Sequence, residues 1–554
     1  MTSATWFNLH EQKIVLALLL LAFFVRLYRV SNPLLDWHAW RQADTASVTR
    51  EYLKHGIKPL QPTFLDISNT PSGTDNPLGY RMVEFPIINL TAATILQPFP
   101  NVPLEQASRL FSIVFSVVGL AALYGIVRSI SGKEVAFASG VAYAFLPYSI
   151  YYGRVVLPEP ILLGTMLISI FAFQRWLLSA SKWWYLLSFI TLLISYLLKP
   201  YAIFFMLVFV ALAYLRFSWK MFFQPWLWLF AIITPLPMLW WRSWITHYPE
   251  GIPGSSWLFN GNDIRFKPAW VRWIFFERLN RLMSGTLGVI LIGANSLSLT
   301  FPEALVYGSW WLGMLLYLSV FATGNVQHDY YQALVIPIVA ISIGRGTVAL
   351  FTYLSKIKPT VAQLIPFALW LSVVIAYSST LAFGWQLSGF FPEKIRNEFI
   401  VMSIASVGVV LLLAWHARYR RFSKFVASLV VGSLFIGAIL FSWHYVGGYF
   451  NVNHWQYVRA GQAVQAVAAP DALIIAPAMG DTQLLFQTDR RGWPIGGEIE
   501  KKISQGADYY LSTNQDDETN ALLQRYQIVT QTDEYTLIDL NQALISTSAA
   551  ERDQ

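Results

Sequence analysis

Cysteine is absent from the 554 residues. Its absence removes disulfides, thiolate nucleophiles and cysteine-ligated metals together, and leaves the compartment open. Charge is scarce as well. Asp, Glu, Lys and Arg make up 13% of the chain and hydrophobic residues 55%, against roughly 25% and 45–50% in ordinary soluble proteins. So little charge cannot cover a water-facing surface, and disorder, a collagen-like fibre and a soluble oxidoreductase are excluded. Also missing are a Walker P-loop, a glycine-rich dinucleotide fingerprint after a strand, an HExxH pair and a GxSxG elbow. Any phosphate handling must therefore come from Arg, Lys, His and Tyr side chains.

What is present is apolar sequence rich in rings: mean hydropathy is +0.46, with 23 Trp and 38 Phe. At about 20 residues per crossing, about thirteen spanning helices are expected. They cover 13–30, 105–128, 134–152, 159–179, 182–198, 200–217, 222–243, 286–300, 303–322, 330–350, 361–384, 398–416 and 424–446. The run Ile14–Val25 lacks a small-residue cleavage site behind it and reads as a retained first helix rather than a signal peptide. Ile87–Phe99 is apolar but too short to cross, which suits an interfacial or re-entrant helix.

The net charge of +8 fits a topology signal better than a nucleic-acid partner. With the N-terminus in the cytoplasm, Arg128 and Lys133, Arg175 and Lys182, Arg216 and Lys220, Arg345 with Lys356 and Lys358, and the RYRRFSK run at 418–424 all fall inside. Lys199, Arg26 and Arg29 are the exceptions. The expected organisation is an all-α polytopic membrane body over 1–446, with outer loops at 31–104 and 245–285. A small soluble α/β domain follows over 447–554, where ALIIAP, DYYLS and YTLIDL read as strands. The body is expected in the inner (plasma) membrane, with the C-terminal domain on the outer, periplasmic face.

Charged groups at the end of a span are costly unless they pair or face a water-filled cavity, so each is a functional candidate. The first outer loop opens LLDWHAWRQADTASVTREYLKHG, which crowds Asp36, His38, Arg41, Asp44, Arg50 and Glu51 into a short stretch. Two carboxylates beside cations suit a site where one acid removes a proton and the cations hold an anion; an amphipathic helix with solvated charges is the alternative. Arg81 and Glu84 sit just before the short apolar stretch, where they could pair. Arg154 and Glu159 end the third span, with Pro158 and Pro160 on either side of the acid, as a functional site or an interface-snorkelling pair. Lys199 interrupts LLISYLLKPYAIFF and calls for an anion or a structural carboxylate. His328, Asp329, Tyr330 and Tyr331 begin the tenth span. His247, Glu250 and Asp263 lie in the second outer loop, but their spacing matches no metal motif.

In order and placement, REYLKHG at 50–56, RMVEFP at 81–86, RVVLPEP at 154–160, LLKPY at 197–201 and HDYYQALVIP at 328–337 resemble the polytopic GT-C glycosyltransferases. The resemblance is to the family that includes protein O-mannosyltransferases and the lipid A aminoarabinose transferase. It covers about the first 350 residues, and the remainder matches in layout alone. It implies a GT-C fold, a polyprenyl-phosphate sugar as donor, and inverting transfer to an acceptor hydroxyl on a glycan, lipid or protein at the outer face. Asp44 or Asp36 would be the general base; WRQAD carries Gln42 where the family's usual Asp-Glu pair would stand, so the choice stays open. Glu84 and Glu159 match family acids. Lys199 matches a phosphate-contacting lysine, and His328 with Tyr330 or Tyr331 a second phosphate-facing pair. Arg41, Arg81 and Arg154 are the further cations expected at the donor. No cofactor is implied with certainty, and a divalent metal is left open. A lipid-linked-glycan transporter and an O-antigen polymerase or ligase are the competing classes. The first should scatter charge through mid-helix positions, and the second should rely on Arg and His rather than carboxylates.

Overall fold

Where water is excluded, an apolar run can satisfy its own backbone only as a helix, and helices are what these runs form. A computed structural model describes residues 3–384, 393–419 and 422–544. Arg420 and Arg421 of the RYRRFSK run, and residues 545–554 of the C-terminal segment, lie outside the described residues.

Among the described residues, seven segments are long and apolar enough to cross a membrane: Leu104–Ser131, Pro158–Ser179, Pro200–Phe223, Asp329–Ser355, Val361–Ser379, Asn397–Arg418 and Lys424–Val467. The protein is a multi-pass membrane protein. The other six expected crossings are helical over much of their length, but they are shorter, broken or interrupted by polar residues. Proline breaks two of them. The helices of the first half are α1 (Ser3–Arg26), α2 (Ala39–His55), α3 (Ile87–Leu96), α4 (Leu104–Ser131), α5 (Lys133–Phe145), α6 (Pro147–Tyr152), α7 (Pro158–Ser179), α8 (Lys182–Leu198), α9 (Met206–Phe217), α10 (Pro225–Ile233) and α11 (Leu236–Trp244). The expected crossing at 134–152 splits into α5 and α6 at Pro147, and that at 222–243 splits into α10 and α11 around Pro235. Helix α8 stops at Lys199, which adopts extended backbone ahead of Pro200, as a residue before proline prefers.

The chain forms two compact units. The first comprises Met1–Tyr28, Leu110–Pro237 and Ser256–Tyr449, and the second Arg29–Arg109, Met238–Ser255 and Phe450–Gln554.

In the first unit, the helix Ile336–Ser355 runs through the interior with most of its residues buried. Its glycines permit close approach of backbones. A Cβ on Gly346 would stand 1.7 Å from the Leu291 carbonyl oxygen, and one on Gly344 would stand 2.2 Å from the Ser139 nitrogen. Small residues at such crossings are how helices pack when hydrophobic burial offers no net drive. Arg26, at the end of α1, is fully buried and bonds the carbonyls of Ala22, Tyr143 and Ala144 and the Ser116 hydroxyl. It ties three helices together, which accounts for one exception to the positive-inside pattern.

The second unit joins the first long loop to the C-terminal segment. Five strands, β1 (Leu473–Ile475), β2 (Arg491–Trp493), β3 (Ala507–Ser512), β4 (Tyr526–Gln531) and β5 (Thr536–Ala543), form one sheet in the order β2-β1-β3-β5-β4. Strand β1 pairs parallel with β2 and β3, while β5 pairs antiparallel with β3 and β4. The C-terminal segment is thus an α/β fold of the kind its alternating runs suggested, with β2 and β4 added. Asp66 of the long loop bridges to Gly492 of β2, and Arg491 donates to the Leu78 carbonyl at 2.6 Å. Helix α2 packs on α3 through Val48, Tyr52 and Ala93, and Asn89 reaches back to the Thr45 carbonyl at 2.6 Å.

Candidate functional site

Helix α2 carries the densest charge of the loop, and apart from Lys54 and His55 at its exposed end it presents little of that charge to solvent. Arg41, Asp44 and Glu51 are all buried, which rules out an amphipathic helix with a solvated polar face. Buried ions need partners, and each has one. Arg41 donates to both carboxylate oxygens of Glu84, at 2.7 and 2.9 Å. Arg81 donates to Asp44 Oδ2 at 2.7 Å. The pairing therefore differs from the sequence expectation: Glu84 takes Arg41, and Arg81 goes to Asp44. The four side chains line one small cavity together with Thr45, Pro62 and Asn89.

The second oxygen of Asp44 is also held. Thr482 Oγ1 lies 2.7 Å from Asp44 Oδ1, so a hydroxyl from the C-terminal segment completes the carboxylate's surroundings. Nothing in the sequence marked Thr482, because a neutral hydroxyl in a polar loop carries no signal. Asp36 sits differently. It accepts from Arg109 at 3.1 Å and from Gln42 at 2.7 Å, and both ionic side chains are wholly inaccessible. Arg109 also donates to the carbonyls of Val30, Asn32 and Pro33, so this pair anchors the chain where it enters the loop. An arginine at the start of an apolar span was the signal that would have found it.

Further acids surround this group. Asp66, fully buried, accepts the Ser68 N–H at 2.8 Å, and burial pushes its carboxyl up to about 7, with the Asp44 charge acting the same way. Burial likewise raises Asp481, next to Thr482, and Glu51, which has Arg491 at 3.9 Å and the His55 ring at 3.6 Å.

The remaining predicted residues lie in the first unit. Lys199 meets Glu159 at 2.5 Å rather than leaving that acid to Arg154. The lysine nitrogen also lies 5.1 to 5.6 Å from the ring centres of Tyr201, Tyr330 and Tyr331, within cation–π range. A cation enclosed by one carboxylate and three phenols can offer donors to an anion that enters beside it. Arg154 is fully buried and donates to the Tyr28 carbonyl at 2.9 Å, so it is no snorkelling surface pair with Glu159. His328 stacks on Tyr330 with centroids 5.5 Å apart. Asp329 is buried and accepts from the Tyr152 hydroxyl at 2.8 Å and the Tyr449 hydroxyl at 2.5 Å, with Arg278 at 3.9 Å. It fixes the turn that presents its neighbours His328, Tyr330 and Tyr331. Among the described residues, no group of three or more His, Asp or Glu side chains is placed to hold a metal ion, and His247, Glu250 and Asp263 form no such cluster.

An all-helical multi-pass body, a small C-terminal sheet, and cations and carboxylates gathered at loops and helix ends together define a class of fold, the GT-C-type membrane fold. Within that class, residues 86–241 match the family model of dolichyl-phosphate-mannose-protein mannosyltransferases. The crystal structure of ArnT from Cupriavidus metallidurans bound to undecaprenyl phosphate superposes with a TM-score of 0.61 at 15% identity, over 99% of each chain. The apo structure of the same protein gives 0.56 at 15% identity, over 97% of this chain and 98% of that one. These likenesses identify the fold. No curated protein matches the sequence.

Proposed function

We propose that the protein transfers a sugar from a polyprenyl-phosphate donor to an acceptor hydroxyl at the outer face of the inner membrane, with inversion, and that Asp44 is the general base. The observation that carries this reading is the cavity lined by Arg41, Asp44, Arg81 and Glu84. Loss of a phosphate from an anomeric carbon builds negative charge on the phosphate and oxocarbenium character on the sugar. Such a reaction calls for cations and carboxylates close together. Asp44 is favoured over Asp36 because it borders that cavity, whereas the Asp36 side chain is sealed against Arg109. Lys199, with Tyr330, Tyr331 and His328, is assigned to the donor phosphate, and Glu159 to holding Lys199 in place. Arg41 and Arg81 orient the carboxylates, while Arg154 has a structural role. The similar ArnT structure is bound to undecaprenyl phosphate, which supports a lipid-linked donor here.

In this reading, the N-terminus is cytoplasmic. The chain divides at 446/447 into a membrane body that holds the donor and a periplasmic domain that faces the acceptor. The carboxylates argue against an O-antigen polymerase or ligase, and the clustering of charge at loops and helix ends argues against a transporter. The test replaces the gene with variants and quantifies, by mass spectrometry of the cell envelope, the glycoconjugate that disappears on deletion. Asp44→Asn should lower it by roughly 100-fold or more, the usual contribution of a positioned base, with protein level and membrane insertion unchanged. Full activity in Asp44→Asn, Asp36→Asn and the double variant would overturn the base assignment.

A further inference from the structure

The turn that delivers Thr482 follows the carboxyl end of β1, which pairs parallel with both its neighbours; in open α/β sheets this is the edge where ligands and functional side chains collect. Its backbone is tightly held. Met479 and Gly480 both have positive φ, 56° and 84°, and a Cβ on Gly480 would come within 2.7 Å of Thr70. The N–H groups of Ala478 and Gly480 both donate to the Pro494 carbonyl, each at 2.9 Å. A non-glycine residue in the left-handed region persists only where surrounding structure holds it there. Met479 itself is 97% exposed, so no burial of its side chain accounts for the conformation. The turn's buried product is Thr482, at 4% exposure.

Thr482 Oγ1 has two acceptors within reach: Asp44 Oδ1 at 2.7 Å and the Trp40 carbonyl oxygen at 3.3 Å. It has one hydrogen to give. We infer that Thr482 is a positioning residue for Asp44, its hydroxyl turning between the carboxylate and the Trp40 carbonyl as Asp44 gains and loses a proton, so that the C-terminal segment supplies part of the catalytic apparatus. The inference rests on the reading of Asp44 as general base. While Asp44 is ionised, the hydroxyl donates to Oδ1, and Arg81 donates to Oδ2. During transfer the acceptor O–H bond breaks and its proton passes to Asp44. The acceptor oxygen bonds to the anomeric carbon as the bond from that carbon to the phosphate oxygen breaks, and the electron pair leaves with the polyprenyl phosphate. The protonated carboxyl is now a donor, so Thr482 turns its hydrogen to Trp40 and accepts from Asp44. Neither state leaves two donors facing each other.

The test uses the full chain in cells and the glycoconjugate lost on deletion as its readout. Thr482→Val keeps the shape and removes the hydroxyl, while Thr482→Ser keeps the hydroxyl and loses a methyl group. The expected result is a loss of roughly 10- to 100-fold in Thr482→Val, the worth of a hydrogen bond to a charged group, and near-wild-type product in Thr482→Ser. Purified Thr482→Val should melt within a degree or two of wild type. A packing role predicts the reverse order, with Val tolerated and Ser impaired, and that result would overturn the inference. Asp44→Asn separates the two layers. If it is inactive while Thr482→Val is fully active, the positioning role fails and the base reading stands. If Asp44→Asn is active, both fail.

Discussion

Asp66 is a carboxyl with no ion pair among the described residues, buried to 1% exposure and raised to about 7 by that burial. An acid whose folded pKa lies above its unfolded one destabilises the fold wherever the unfolded chain can ionise it. Below about pH 4 the group is protonated in both states and contributes nothing. From there to about pH 7 the folded state keeps a proton that the unfolded state has released, and stability falls through this window. Above it the penalty is complete, on the order of 4 kcal/mol at most, at about 1.4 kcal/mol per pKa unit. Asp66→Asn keeps the shape and the oxygen that accepts the Ser68 N–H, but it cannot ionise. The variant should therefore melt higher than wild type at pH 8, by several degrees, and the gap should close as the pH falls to 4. Tryptophan fluorescence melts of the full chain in detergent at pH 4, 6 and 8 measure this directly. A variant that melts lower at pH 8, or a gap independent of pH, would mean that a cation holds Asp66 ionised in the fold, and the reasoning from burial would fall.

Three further outcomes follow from the same structure. Arg109→Met takes the Arg109 guanidinium away from the buried Asp36 carboxylate and should cost about 3–5 kcal/mol, read as reduced yield and a lower melting temperature; the double variant with Asp36→Leu should recover much of the loss. Gly346→Val puts side-chain atoms against the Leu291 carbonyl and should destabilise the first unit by about 1–3 kcal/mol or more, measured as a lower Tm, whereas Ala at the exposed Gly56 should not be assumed neutral, because its φ of 84° strains any side chain. Lys199→Ala should weaken capture of undecaprenyl phosphate by the purified protein by about tenfold or more, and unchanged binding would return Lys199 to a purely structural pairing with Glu159.

How much could be read from the sequence depended on what kind of signal each residue gives. Apolar runs announced their helices, and the alternating runs after 446 announced strands, because burial writes itself into hydropathy. Ionisable residues at span ends were visible because charge is scarce: Asp36, Asp44, Glu159 and Lys199 are buried, Glu84 is half-buried, and all five are paired. Who pairs with whom was not visible. Arg81 stands three residues from Glu84 yet reaches Asp44, while Glu84 takes Arg41, a choice of partners that spacing in the sequence does not reveal. The exceptions to the positive-inside pattern also acquired causes, as Arg26 binds backbone carbonyls, Arg29 binds the Phe450 carbonyl and Asn451, and Lys199 binds Glu159. Thr482 was out of reach, because its role comes from a turn more than 400 residues away in sequence from its partner, and short strands such as β2 are too brief to show a period.

The central claim is that Asp44 removes the acceptor proton in a sugar transfer from a lipid-linked donor. Its most direct test is the envelope glycoconjugate profile of a deletion strain complemented with wild type or with Asp44→Asn at equal protein level. Deletion should remove one glycoconjugate, wild type should restore it, and Asp44→Asn should not. Restoration by Asp44→Asn to the wild-type level, or a profile unchanged by deletion, would contradict the claim.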